Sequence, residues 1–297
     1  MSMTNNTLAF FYNNLTMIMM NLEDSIGLIA NFENWSEKED KQVEKLKLLA
    51  KENNLRSTLF VITNREMNYG LWNSNNIIKK ANEKEIDYVI FYYTNPMINQ
   101  MPDFDLYKNI EDFLSVRKMI ISKDYTDLNH SRFTTSFIEQ NWKENAIIIE
   151  TSVTKDLENN LNLLKKSKFE EFQKLNKLNY QFDARVSEGK KLGRTIGFPT
   201  INLITEERIA LSYGVYACNV YVDHLKETFL GAGCYWKNEL NQDVFEIFLI
   251  DFDKEIYGWK VSVSPIEKLR ENIKVDSLEE LKKLLANDVK TTLKFKK

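Results

Sequence analysis

From Ser25 to Ser152 the sequence repeats one pattern: a short apolar run, an amphipathic stretch, then another apolar run. The runs are SIGLIANF, STLFVITN, DYVIFYYT, RKMIISKD and NAIIIETS. Each has the length of a strand, and near-continuous apolarity suits strands buried on both faces of a parallel sheet. SEKEDKQVEKLKLLAKEN and DLYKNIEDFLSV lie between them and read as helices. Alternation of this kind predicts an α/β domain with a doubly wound, Rossmann-like sheet. After Leu178 the texture changes. YQFDARVSEG, YGVYACNVYVD, ETFLGAGCYW, DVFEIFLIDF and IYGWKVSVS are aromatic and β-branched, and turns replace the helices between them. That half predicts an antiparallel sheet or small β-barrel. A closing helix starts at Ser277, where SLEE has the form of a capping box with Glu280 at the third helical position. A chain of 297 residues is long for one domain. The expected division is an α/β domain over 1–165, a polar helical connector over 166–178 and a β domain over 179–297.

Charge and rare residues exclude several classes of function. Forty basic and 43 acidic residues give a net charge of −3, so no basic excess points to nucleic acid. An anionic ligand must therefore be held by a local site. Cys218 and Cys234 sit in strand-like apolar contexts and read as small buried hydrophobes. His130 and His224 are far apart, without partners at ligand spacing, which argues against zinc. The N-terminal run LAFFYNNLTMIMMNL lacks a basic flank and is broken by Asn13 and Asn14. It is too short to span a bilayer and reads as a core strand and a turn, so a cytoplasmic protein with no membrane partner is expected.

Glycine is scarce, with nine in the whole chain, yet Gly189, Gly193 and Gly197 fall with Pro199 inside eleven residues of GKKLGRTIGFPTINL. The spacing is neither that of a Walker A loop nor that of a dinucleotide fingerprint. Glycines let backbone N–H groups close on phosphate oxygens, and Lys190, Lys191 and Arg194 add charge. An ordinary hairpin with solvated lysines has the same composition. Thr200 and Asn202 then alternate on one side of an extended segment. A hydroxyl and an amide oxygen are hard neutral ligands suited to Mg²⁺ when phosphates supply the charge.

GKKLGRTIGFPTINL closely resembles the GxxxGRxxGxPTxN signature of riboflavin kinases, in particular the C-terminal module of the bacterial bifunctional riboflavin kinase/FAD synthetases. The likeness continues through GVYAC, DVFEIFLIDFDKEIYG and LRENIKVDSLEELKKLLANDV, so it runs from about Tyr180 to the C-terminus. It implies an antiparallel β-barrel followed by a helix, and a kinase that converts riboflavin to FMN with ATP and Mg²⁺. It assigns Gly189, Gly193, Arg194, Gly197 and Pro199 to the ATP phosphates and Thr200 and Asn202 to Mg–ATP. Glu246 becomes the catalytic base and Arg270 a flavin contact. Glu246 is also out of composition among Phe245, Ile247, Phe248 and Leu249. The family usually has an aromatic where Val275 stands.

The same resemblance implies a nucleotidyltransferase-type head that transfers AMP to FMN through a GxFDGxHxGH loop. Here the corresponding stretch is ANFENWSEKEDKQ, Ala30 to Gln42, with Ser36 and Glu39 where histidines belong. No histidine precedes His130. Glu37, Glu39 and Asp40 would put negative charge at a helix start that should receive phosphates. An ISSTRIR-type segment is matched by IETSVTKDL, which has no arginine. The expectation is a riboflavin kinase whose adenylyltransferase activity is absent. A non-catalytic flavin or nucleotide binder, and a bifunctional enzyme with a divergent head, remain alternatives.

Overall fold

The computed structural model describes residues 7–12, 22–63, 71–125, 132–151, 156–189, 192–205, 209–239 and 241–296. Two compact units divide the chain, with the main break between Leu157 and Glu158.

The first unit is a six-stranded parallel sheet with helices in its connections. Its strands are β1 (Leu8–Tyr12), β2 (Ser25–Ile29), β3 (Arg56–Thr63), β4 (Tyr88–Tyr93), β5 (Val116–Ser122) and β6 (Ala146–Ile149). Their order is β1-β4-β3-β2-β5-β6, so the sheet reverses direction of growth between β2 and β5. The five apolar runs became five strands, and all of β2 and nearly all of β3 are buried, as strands covered on both faces must be. Helices α1 (Glu37–Asn53), α2 (Ser74–Glu83), α3 (Pro96–Gln100), α4 (Asp103–Lys108) and α5 (Thr135–Trp142) fill the crossovers. The N-terminal run does form β1, but at the sheet edge rather than in the core. Leu8 and Phe11 are each 52% exposed, and only Tyr12 is fully buried. The turn expected at Asn13 and Asn14 lies outside the described residues, as does His130.

The break falls in the first turn of α6 (Asp156–Lys165); in the second unit the rest of α6 is tied to α7 (Phe169–Asn176) by reciprocal amide bonds between Asn160 and Asn176 at 3.3 and 2.8 Å. Then come β7 (Phe182–Ser187), the short α8 (Leu192–Thr195), β8 (Thr200–Thr205), β9 (Gly214–Val222), β10 (Glu227–Lys237), β11 (Asp243–Leu249) and β12 (Lys260–Arg270). They close into an antiparallel barrel in the order β10-β11-β8-β7-β12-β9. Closure removes unpaired edges and leaves one inward face per strand. On β11 that face is Phe245, Ile247 and Leu249, all buried, while Val244, Glu246 and Phe248 point to the outer side and are half-buried. Phe169 and Phe172 of α7 lie edge-on to Tyr216 and Tyr180, so part of the expected connector packs on the barrel.

Helix α9 (Leu278–Thr292) follows the barrel. Ser277 caps it by accepting from the Glu280 N–H at 3.2 Å. The return bond expected to Ser277 goes instead to the Asp276 N–H, at 3.2 Å. Among the described residues no helix is long and apolar enough to cross a membrane.

Candidate functional site

The glycine loop leads from β7 into β8, and its residues have distinct structural reasons. Gly197 has φ +86°, in the left-handed region where a side chain is strained. A Cβ on Gly193 would lie 2.2 Å from the Phe198 carbonyl oxygen, a backbone atom that cannot swing aside as a side chain could. The chain folds back on itself there: the Gly193 carbonyl accepts from Ile196 and Phe198 at 3.2 and 2.8 Å. Gly189 lies against the Asn202 side-chain amide. Arg194 is exposed on α8 and pairs with Glu255 at 3.0 Å. Pro199 is exposed and immediately precedes β8. Lys190 and Lys191 lie outside the described residues.

Register brings the remaining candidates together. β8 and β11 pair so that Asn202 faces Glu246 and Thr200 faces Phe248. Directly opposed residues on antiparallel strands share a face, as do residues two apart on one strand. Thr200, Asn202 and Glu246 therefore project from the same side of the barrel wall. On its other flank Glu246 faces Cys234 of β10. A cavity of about 280 Å³ opens there. Thr200, Cys234, Glu246, Phe248 and Arg270 line its barrel side. Leu281, Leu284, Leu285, Asp288 and Val289 of α9 line the other. The carboxylate thus sits at the wall of a largely apolar chamber, just below the roughly 300–1,000 Å³ typical of small-molecule sites.

Arg270 ends β12 next to a register shift in the β9–β12 pairing, between Lys268 and Arg270. Such a shift re-aims the side chains beside it. The guanidinium meets Asp288 of α9 through Nε at 2.9 Å and Nη2 at 2.6 Å. Asp288 is only 3% exposed. Burial, with the Glu246 carboxylate nearby, pushes the Cys234 thiol up to about 12. Cys234 is therefore a poor nucleophile at neutral pH, since the thiolate is the reactive form. Asp288 was not among the candidates read from the sequence. Its signal was there: Leu281, Leu284, Leu285, Asp288 and Val289 fall at helical spacing, and the one acid in that stripe is out of composition.

Among the described residues no three acidic, histidine or cysteine side chains converge as a metal cage. Thr200 and Asn202 supply neutral oxygens beside a single carboxylate. That donor set fits Mg²⁺ arriving with a nucleotide's phosphates rather than a resident ion. His224 lies flat on Trp259, ring centroids 4.6 Å apart.

In the first unit, Ser36 and Glu39 form a complete capping box at the start of α1. The Glu39 carboxylate accepts from the Ser36 N–H at 3.0 Å and from its hydroxyl at 2.7 Å. Lys38 is held by Asp124 at 2.8 Å, and the Lys80 ammonium sits over the Trp35 and Trp72 rings at 5.3 and 4.9 Å. This helix start, at the sheet's switch point, is where a doubly wound fold receives anions. Here the protein's own carboxylate fills it. Residues 152–155 of IETSVTKDL lie outside the described residues.

Burial raises the Glu39 pKa above its ordinary value, and the Ser36 bonds only partly offset this. A carboxyl whose folded pKa is raised favours the native state at low pH and loses that contribution as pH climbs through the raised value. Glu39→Gln keeps a side-chain acceptor at the same position. It is expected to match the wild type near pH 4 and to be the more stable protein at pH 7. Thermal melts at both pH values check this; a variant less stable at pH 7 would show that the charged form is the favoured one.

Residues 176–296 match the riboflavin kinase (flavokinase) family. A bifunctional riboflavin kinase/FMN adenylyltransferase of Haemophilus influenzae is 39% identical over 120 residues, 39% of this chain and 38% of that protein's length. The bifunctional riboflavin kinase/FMN adenylyltransferase of Buchnera aphidicola subsp. Schizaphis graminum aligns over 95% of this chain and 96% of its own, at 24% identity. Among solved structures, a Streptococcus pneumoniae chain described as a macrolide-efflux protein covers 96% of this chain and 98% of its own. Its TM-score is 0.59 at 18% identity, a likeness of fold alone.

Proposed function

We propose that the chain, whose residues 176–296 match the riboflavin kinase family, is a riboflavin kinase: it transfers the γ-phosphoryl group of ATP to the ribityl 5′-hydroxyl of riboflavin, giving FMN and ADP. The observation that carries this reading is the juxtaposition of Glu246 with Asn202 across β8 and β11, with Thr200 on the same face. In this reading residues 179–297 form the kinase module, 166–178 the connector and 1–165 the head.

The reaction makes a bond between the ribityl oxygen and Pγ, breaks the bond from Pγ to the β–γ bridging oxygen, and releases one proton. A primary alcohol holds that proton far above neutral pH, so a base must take it as the new bond forms. Glu246 is the carboxylate on the barrel side of the cavity, on the face shared with Thr200 and Asn202, and its oxygen accepts the proton. Mg²⁺, held through ATP phosphates by the Thr200 hydroxyl and the Asn202 amide oxygen, would neutralise charge on the transferring group. The turn at Gly193 and Gly197 lets backbone N–H groups approach phosphate without a side chain between. Ile273, Val275 and the α9 leucines offer the apolar surface that an isoalloxazine ring requires.

The head, in the same reading, has lost adenylyl transfer. Glu39 occupies the helix start that would hold a triphosphate, and Lys38 and Lys80 are engaged with other groups. One assay in two tubes tests both statements. Full-length protein and Mg–ATP receive riboflavin in one tube and FMN in the other, with products separated by chromatography. FMN from the first and no FAD from the second is expected. FAD from the second would revive a bifunctional enzyme with an unorthodox head. Riboflavin bound but unconverted in the first would leave a flavin-binding protein without kinase activity.

A further inference from the structure

The kinase reading assigns Arg270 to the flavin but says nothing of what holds it. The guanidinium makes three hydrogen bonds: Nε and Nη2 to the two oxygens of Asp288 at 2.9 and 2.6 Å, and Nη1 to the Glu271 carbonyl at 3.1 Å. A bidentate pair fixes the guanidinium plane as well as its position. Three of its five N–H groups are engaged in this way, which fixes the plane, and guanidinium faces stack on aromatic rings. The same cavity contains Glu246, the other charge an unheld guanidinium would seek. Asp288 is placed for this by α9, where it takes one position of the apolar stripe that forms the opposite wall, and its backbone carbonyl accepts from Thr292 Oγ1 at 2.8 Å.

We propose that Asp288 is the positioning residue for the flavin: by engaging Arg270 edge-on from α9, it presents the guanidinium face to the cavity for stacking against the isoalloxazine ring. The proposal rests on the riboflavin reading of the site. It differs from a simple strut between helix and barrel in requiring the arginine on β12 and the acid on α9, not merely two opposite charges.

The test uses the full-length chain with Asp288→Asn and with the exchange variant Arg270→Asp/Asp288→Arg. Melting temperature, riboflavin KM, ATP KM and riboflavin affinity from flavin fluorescence quenching without ATP are measured for each. Asp288→Asn is expected to weaken riboflavin binding and raise its KM by about tenfold or more, with ATP KM within about twofold, since a misplaced positioning group acts on the substrate it orients. The exchange variant re-forms a pair and should regain most of the melting temperature, yet it should remain as weak toward riboflavin as Asp288→Asn. Recovery of riboflavin affinity along with stability would reduce the pair to a strut and overturn the proposal. So would equal changes in the two KM values. If Asp288→Asn does not fold, the exchange variant alone decides between the two. A wild type that quenches riboflavin without making FMN would sink the kinase reading, while the fluorescence titration would still measure what Asp288 does.

Discussion

Glu246→Gln is expected to lower turnover by a factor on the order of 10²–10⁴ while riboflavin and Mg–ATP binding stay near wild-type, the signature of a missing general base. The substitution keeps size and one acceptor oxygen but cannot take a proton. Glu246 lies on the outer, half-buried face of β11, opposite Asn202 on one side and Cys234 on the other. Its removal leaves the inward face of the barrel untouched, so the melting temperature should move little. Single-turnover FMN formation, with binding measured separately, distinguishes the outcomes. Turnover within about threefold of wild type would remove Glu246 from the proton-transfer role, since general bases are worth far more than that. Loss of binding in proportion to loss of rate would make it a ligand rather than a base.

One residue earlier the expected result reverses. Phe245→Ala should destabilise the barrel by about 3–5 kcal/mol, the usual cost of deleting a buried aromatic ring. Phe245 is 1% exposed and points inward. Its ring centroid lies 5.5 Å from Phe182, 5.6 Å from Tyr235 and 6.3 Å from Tyr216. Those partners come from β7, β10 and β9, three separate strands of the closed wall. Truncation would leave a cavity that a closed barrel cannot collapse to fill, because its circumference is fixed by hydrogen-bonded neighbours. Urea unfolding of the full chain, followed by a probe in the second unit, should show the midpoint falling with the slope unchanged. A loss below about 1 kcal/mol would mean that the interior repacks, and that Phe245 is not the centre of the core. Neighbouring residues of one strand thus separate chemistry from stability, because alternate side chains leave a strand on opposite faces.

Much of the architecture was legible in the residues. The five apolar runs of the first half suited strands buried on both faces, and each became a strand, though β6 lies at the sheet edge and is only half-buried. SLEE marked the start of α9 correctly, though the reach of Glu280 went to Asp276 instead of Ser277. The N-terminal run was less legible. LAFFY is as apolar as the central strands, but composition does not tell an edge from a centre, and β1 lies at the edge with Leu8 and Phe11 half exposed. In β11 both faces are rich in hydrophobes, so periodicity alone could not say whether Phe245 or Phe248 pointed inward.

The division of labour at the candidate site follows from range. The sequence by itself determined what is local: strand and helix character, the clustering of glycines around Gly197 where φ is positive, the Ser277 cap of α9, and the isolated acid in an apolar strand. Each depends on residues a few positions apart, whose geometry the backbone fixes. Tertiary structure alone decided what depends on closure and register. Barrel pairing set Asn202 against Glu246, 44 positions later, and beside a register shift Arg270 meets Asp288 of α9, 18 positions further on. Asp288 gained its meaning only there, because a buried carboxylate is tolerable only with a partner, and that partner is brought to it by the fold.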